Sequence, residues 1–309
     1  MTHGIHHITA IASNGQLNVH FYSKILGLRL VKKTVNQDDV ETYHLFFGDQ
    51  YGHPGMDLTF FIFQPAMQGR RGTGLVTTIS LAVPTGSLDF WLRRFDEMKV
   101  KHDGVVEKFG IRQMVFYDPD NQRLELVESD SQGEDVWVKD IAKEYAIQHF
   151  DSARLSVVSR QMIEPILFRV FGYELMASEG HVHLYKLPDL NRASFLEVSE
   201  EPSEEQGFNA AGTVHHIAFR AKDLQEQALM REEVVKLGLY PTDVIDRFYF
   251  KSVYFRTPAG ILFEIATDGP GFTADESEEV LGEKLALPPF LEPQRSEIER
   301  NLPAISLER

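Results

Sequence analysis

The chain has 309 residues, 43% of them hydrophobic and 11% aromatic, which suits about two globular domains and rules out a disordered chain. Against 31 basic residues stand 46 acidic ones, and the formal charge of −15 excludes a polyanionic partner such as nucleic acid and disfavours an anionic membrane surface. There is no cysteine, so disulfides and zinc–thiolate sites are excluded. The first residues carry neither a basic region nor an apolar core, and no run approaches the ~20 apolar residues of a membrane span. A cytoplasmic protein is therefore expected.

In chain order, a first strand is predicted at Ile5-His6-His7-Ile8-Thr9. Asn14 is a plausible N-cap for a helix with Leu17, Phe21, Ile25 and Leu28 at helical spacing, stopped at Leu26-Gly27-Leu28. Leu58 to Phe63 reads as the last strand of this unit. The order then repeats. Val76-Thr77-Thr78-Ile79-Ser80 precedes a helix from near Ser87 with Leu88, Trp91, Leu92 and Phe95 on one face. The turn Asp118-Pro119-Asp120-Asn121 then leads into Leu124-Glu125-Leu126. The polar stretch from Ser129 to Lys143 reads as a connector.

A third copy runs from Phe150-Asp151-Ser152-Ala153-Arg154, through Met162, Ile166, Val170 and Phe171 before Gly172, to Ser194-Phe195-Leu196-Glu197-Val198. The fourth starts at Val214-His215-His216-Ile217-Ala218, has a helix from Asp223-Leu224 ending at Leu237-Gly238-Leu239, and closes with Thr257-Pro258-Ala259-Gly260 and Phe263-Glu264-Ile265. Glycine at three helix stops supplies the left-handed conformation that turns the chain into a strand. Four βαβββ modules in an α+β protein are the result. The expected units are residues 1–130, residues 145–268, and a Glu- and Pro-rich tail, 269–309.

The repeat lets equivalent positions be compared. First strands offer His7, Thr78, Ser152 and His216; last strands, aligned by motif, offer Phe61, Glu125, Glu197 and Glu264. Imidazole comes from modules one and four alone, and two histidines with one carboxylate are the ligand set of a mononuclear iron(II) site with open positions. A period of two turns His6 and His7, or His215 and His216, to opposite faces, so one of each pair faces inward. Glu125 and Glu197 lack histidine partners and read as structural. His181 and His183 share a face without a third ligand, and His44, His53 and His149 carry no signal.

Modules of this pattern resemble the vicinal oxygen chelate superfamily, which includes glyoxalase I, bleomycin-resistance proteins and extradiol dioxygenases, over residues 4 to 268. The resemblance implies that modules pair into two open β-barrels, and that His7, His216 and Glu264 hold the metal. Modules one and four must then share the metal-containing barrel, and modules two and three the other. Phe61 would stand where glyoxalase-type sites carry a fourth ligand. The runs Lys32 to Asp39, Tyr43 to Asp49 and Leu58 to Phe61 are similar to hydroquinone-type ring-cleaving dioxygenases.

That similarity implies Fe(II), with Mn, Co or Zn also tolerated by the ligand type, and a small aromatic substrate with O2. It implies Tyr254, Arg247 and His215 as catalytic groups and His6 and Thr9 at the substrate. The residues alone leave Tyr249 competing with Tyr254 as the inward tyrosine. By strict alternation His6 and His215 would point away unless a bulge re-aims them. Two other readings stay open, a glyoxalase-like metal-dependent isomerase and a metal-free binding protein of the bleomycin-resistance type. The sequence leaves homo-oligomerisation undecided.

Overall fold

The computed structural model describes residues 1–307. Module one supplies β1 (Ile5–Ala12), β2 (Arg29–Asn36), β3 (Asp39–Gly48) and β4 (Asp57–Ile62); module two supplies β5 (Leu75–Pro84), β6 (His102–Lys108), β7 (Ile111–Tyr117) and β8 (Arg123–Ser129). Module three supplies β9 (His149–Val157), β10 (Glu174–Glu179), β11 (Val182–Lys186) and β12 (Phe195–Glu200). Module four supplies β13 (Thr213–Ala221), β14 (Ile245–Asp246), β15 (Lys251–Arg256) and β16 (Leu262–Thr267). The strands form two eight-stranded sheets. One runs β14-β15-β16-β13-β1-β4-β3-β2 and joins modules four and one; the other runs β10-β11-β12-β9-β5-β8-β7-β6 and joins modules three and two. This is the pairing expected from the ligand positions.

Alternation divides each sheet into two faces. In the first sheet Ile8, Ala10, Ile217, Phe219, Phe263 and Ile265 lie in the main apolar core. Their neighbours His7, Thr9, His216, Ala218, Glu264 and Ala266 belong to the other, concave face. A smaller cluster of Val31, Phe46, Ala218, Tyr249, Phe250, Ala266, Phe272 and Leu281 lies there beside the polar groups. The concave face of the first barrel is thus apolar at one end and polar at the centre.

The turn chemistry follows the sequence. Asn14 accepts from the Leu17 N–H, and Asp223 accepts from the Glu226 N–H at the start of α4 (Leu224–Lys236). Gly27, Gly172 and Gly238 have φ of 70°, 84° and 77°, as the helix stops require. Two details differ. The helix α1 (Gly15–Val19) continues from His20 to Ile25 in a wider turn, which shifts its phase and leaves Leu17 53% exposed while Val19, Phe21, Tyr22 and Ile25 are buried. At α2 (Leu88–Met98) the Ser87 hydroxyl makes no cap; Glu128 Oε1 instead accepts from the backbone of Gly86 and Leu88, at 3.0 and 3.4 Å.

After β16 the chain packs back on the first barrel. Between the short α3 (Glu164–Ile166) of module three and the final α5 (Arg295–Asn301) no further α-helix intervenes except α4, and the tail is mostly single turns. Leu281, Leu287, Leu291, Ile298 and Leu302 are buried in it. No helix of the described residues is long and apolar enough to cross a membrane.

Candidate metal centre

The two central strands of the first barrel, β1 and β13, are antiparallel and each carries one extra residue. Pairing steps from Ile5↔Phe219 to His7↔Ala218, which makes His6 the extra residue, and from Thr9↔His216 to Ala10↔Val214, which makes His215 the other. These are the bulges that strict alternation could not show. Consecutive imidazoles therefore lie edge to face on each strand, with centroids 5.1 Å apart in both pairs. Nδ1 of His6 is 2.9 Å from Nδ1 of His7, and Nδ1 of His215 is 2.8 Å from Nδ1 of His216.

The second imidazole of each pair converges with the carboxylate. His7 Nε2 is 3.2 Å from His216 Nε2 and 3.2 Å from Glu264 Oε2, and His216 Nε2 is 3.0 Å from the same oxygen. All three side chains are buried, and their donor atoms lie within 4.8 Å of one another. Ser252 Oγ donates to the other carboxylate oxygen at 2.5 Å. Burial alone would raise the Glu264 carboxyl, but His7 and His216 with protons on Nε2 would hold it well below the ordinary range, and a cation bound there would take over that role. Burial lowers the His216 imidazole against the opposing pull of Glu264.

The outer histidines fix the protons. His6 Nε2 lies 3.1 Å from the Thr267 carbonyl, which can only accept, so that nitrogen carries hydrogen. Burial, with His7 beside it, lowers His6 to about 3, so its ring is neutral and Nδ1 is an acceptor. His7 must then donate from Nδ1, leaving a bare lone pair on Nε2. His215, likewise lowered to about 3 by burial and His216, can accept from His216 Nδ1 in the same way. Two imidazole lone pairs and a carboxylate oxygen, dry and within contact of each other, repel unless a cation lies between them. The donor set therefore fits a divalent metal. Replacing His6 with Ala is expected to weaken metal affinity about 10- to 100-fold, measured by competition with a chelator. Unchanged affinity would remove His6 from this role.

The second barrel shows what the same frame does without a metal. Its central strands bulge at Thr77 and Asp151, the counterparts of His6 and His215. Thr78 and Ser152 stand for the histidines. Ala218, which pairs with Glu264, is replaced by Arg154, which pairs with Glu197. The guanidinium lies 2.5 Å from Glu197 and 3.6 Å from Glu125, and Lys108 binds Glu197 at 2.6 Å. Basic side chains there neutralise the carboxylates; Ala218 supplies no such charge in the first barrel.

The same registers correct one sequence expectation. Ser80 pairs with Glu125, and the equivalent residue Thr9 pairs with Thr59, not with Phe61. The fourth-ligand position is therefore Thr59, whose neutral hydroxyl bonds Thr9 Oγ1 at 2.7 Å and His44 Nε2 at 2.9 Å. Phe61 lies two residues farther along the strand, against His44, His215 and His216.

A cavity of about 40 Å³ adjoins the ligand set, lined by His7, His216, His44, Phe61, Arg247 and Tyr254 with other residues. Arg247 grips Asp38 with two bonds of 3.0 and 2.8 Å and points Nε at the Tyr254 hydroxyl, 3.4 Å away. Gln37 also donates to the Arg247 carbonyl at 2.8 Å. Burial and the charge of Glu264 raise the Tyr254 phenol, which stays protonated as a donor. Such a cavity holds a few waters at most. Tyr249 lines the cavity too, but its hydroxyl turns away to Asp275 at 2.8 Å.

His6 and Thr9, expected at the substrate, stand one layer back: neither lines this cavity. His215 borders a separate cleft with Asn209 and Arg256. His183 is engaged by Ser178 and Glu200 and joins no ligand cluster. A larger cavity, about 540 Å³, lies between α1 and the C-terminal segment and gathers no ligand set. The sequence assigns no individual role to His44, Thr59, Asp38 or Gln37. A repeat marks what recurs, and these residues occur in module one alone.

Known proteins are similar to this chain over most of its length. A family model described as the glyoxalase/bleomycin resistance protein/dioxygenase superfamily matches residues 4–126. MhqA of Bacillus subtilis (strain 168), named as a ring-cleaving dioxygenase, is 38% identical over 98% of both chains. The chlorohydroquinone/hydroquinone 1,2-dioxygenase of Sphingobium indicum is 34% identical over 97% of this chain and 95% of its own. A crystal structure of a Bacillus subtilis protein named as a dioxygenase superposes with a TM-score of 0.95 at 40% identity, covering 100% of this chain and 99% of that one. Glyoxalase I from Zea mays, at 13% identity, shares the fold with a TM-score of 0.64 over 86% of this chain and 92% of its own.

Proposed function

The chain belongs to the glyoxalase/bleomycin resistance protein/dioxygenase superfamily, with its ring-cleaving dioxygenases as near full-length relatives, and we propose that it is an Fe(II)-dependent enzyme that opens a hydroquinone-like ring with O2. The observation that carries this reading is the three-ligand set His7, His216 and Glu264, with a neutral Thr59 at the fourth position. Three protein ligands leave adjacent coordination positions for a phenol oxygen and O2, whereas an isomerase of the glyoxalase kind uses the fourth. An intact ligand set likewise counts against a metal-free binding protein. An Fe(II) ion held there would supply a more acidic phenol and a path for electrons from ring to O2.

The remaining roles fall to the chain's own groups. His6 and His215 hold the ligand imidazoles in the tautomer that exposes Nε2. Tyr254, protonated and polarised by Arg247, offers a hydrogen bond where negative charge develops on oxygen. Phe61, Phe46 and Phe250 exclude water and bracket an aromatic ring. Asp38 holds the guanidinium in place until substrate enters.

The test is anaerobic loading with Fe(II), addition of methylhydroquinone, and admission of oxygen at an electrode. One O2 consumed per ring opened is expected. No uptake by iron-loaded protein with any hydroquinone or catechol would sink the reading.

A further inference from the structure

Opposite the ligand set, the cavity contains a second polar group that the chemistry above does not use. His44 lies on β3, beyond β4 and β1 in the strand order that carries Glu264, His216 and His7. Two strand spacings, about 10 Å along the curled sheet, separate β3 from β1. Its ring is fixed on three sides: Phe46 and Phe61 pack against it with centroids at 4.0 and 4.4 Å, and Nε2 bonds Thr59 Oγ1 at 2.9 Å. Nδ1 has no protein partner among the described residues, and the side chain lines the cavity.

The hydrogen bonds behind His44 admit an arrangement that gives that nitrogen the proton. Thr9 and Thr59 share one bond of 2.7 Å, and Thr59 shares the next with His44. If Thr9 donates to Thr59 and Thr59 donates to Nε2, every hydroxyl proton has an acceptor. That arrangement puts the imidazole proton on Nδ1, facing the cavity. Two other polar groups of the wall are already committed, the Arg247 fork to Asp38 and the Tyr249 hydroxyl to Asp275.

We propose that His44 is the binding site for a second substrate oxygen, donating from Nδ1 to the ring hydroxyl farthest from the metal-bound one, and thereby selects 1,4-diols over 1,2-diols. This rests on the proposed function and names its substrate class. In a 1,4-diol the second oxygen lies at the far end of the ring; in a catechol it lies beside the first, against the metal. The position that would carry a fourth ligand thus serves, as Thr59, to orient a substrate-binding histidine. Thr9 is a positioning residue two steps behind it. Burial keeps His44 neutral, so it enters as a hydrogen-bond donor and not as a charge.

Binding tests this without turnover. Iron-loaded protein under nitrogen is titrated calorimetrically with methylhydroquinone, with 3-methylphenol, which lacks the second hydroxyl, and with 4-methylcatechol. The native protein is expected to favour methylhydroquinone over both by about tenfold. His44→Phe, which keeps the stacked ring, should erase that preference; His44→Asn, whose amide can occupy the Nδ1 position, should retain part of it, and His44→Gln should not. Equal binding of the three ligands by the native protein, or an unchanged preference in His44→Phe, overturns the proposal. Should His44→Phe fail to fold, the native series and the Asn and Gln variants still decide it. Because no step consumes O2, a failure of the dioxygenase reading shows up separately, in the oxygen-uptake assay.

Discussion

Replacing His216 with Ala is expected to strip the protein of iron and of turnover together. In the proposed site His216 supplies a ligand nitrogen, held in place by His215, and its loss leaves Glu264 Oε2 with one imidazole at 3.2 Å in a fully buried setting. Loss of a supporting group around a metal costs about 10- to 100-fold in affinity, so loss of a ligand should exceed that, on the order of a thousandfold or more. Metal content after gel filtration and oxygen uptake are the measurements. Glu197→Gln is the matched control. It is the counterpart of Glu264 in the second barrel, where Arg154 and Lys108 already neutralise it. Iron retention should be unaffected there even if stability falls. Stoichiometric iron in His216→Ala would mean that the ligand set has been misassigned.

How much of this was legible in the sequence depends on whether a feature recurs. The fourfold repeat made the fold and its module pairing readable, because His7 and His216 must meet across β1 and β13 if they are to share Glu264. What failed was counting. Modules two and four enter their last strands through tight turns, with left-handed Asn121 and Gly260, whereas module one crosses from β3 to β4 through Asp49–Met56. Aligning by motif across that longer loop placed Phe61 where the pairing puts Thr59. The bulges at His6 and His215 were invisible for a related reason: a period of two assumes that no residue is inserted, and an inserted residue leaves no compositional mark. His44 sits on an alternating strand beside Phe46 and looks like any half-buried histidine until Thr59 is seen beneath it.

The tail supplies part of the wall behind the candidate metal centre, and the largest stability effect should be found there. Lys32, on β2, is fully buried. Its ammonium bonds Asp275 Oδ1 at 2.7 Å, the Phe272 carbonyl at 3.0 Å and the Glu276 carboxylate, with the Tyr249 ring centroid 4.9 Å away. The other oxygen of Asp275 receives the Tyr249 hydroxyl. Beside Tyr249 in the chain, Phe250 packs against both His6 and His7, with centroids at 5.4 and 5.1 Å. Lys32→Met would leave two carboxylates facing each other with little water, and removal of one member of a buried ionic group costs about 3–5 kcal/mol. A urea unfolding curve should show that loss as a lower midpoint at unchanged slope. Removing the charges together should behave differently. Lys32→Met combined with Asp275→Asn and Glu276→Gln leaves no unpaired ion and should recover much of the deficit, since it is the uncompensated charge and not the absence of the ion pair that is costly. A loss below about 1 kcal/mol in Lys32→Met would mean that the tail can swing its carboxylates into solvent, and that Tyr249 and Phe250 hold their places without it.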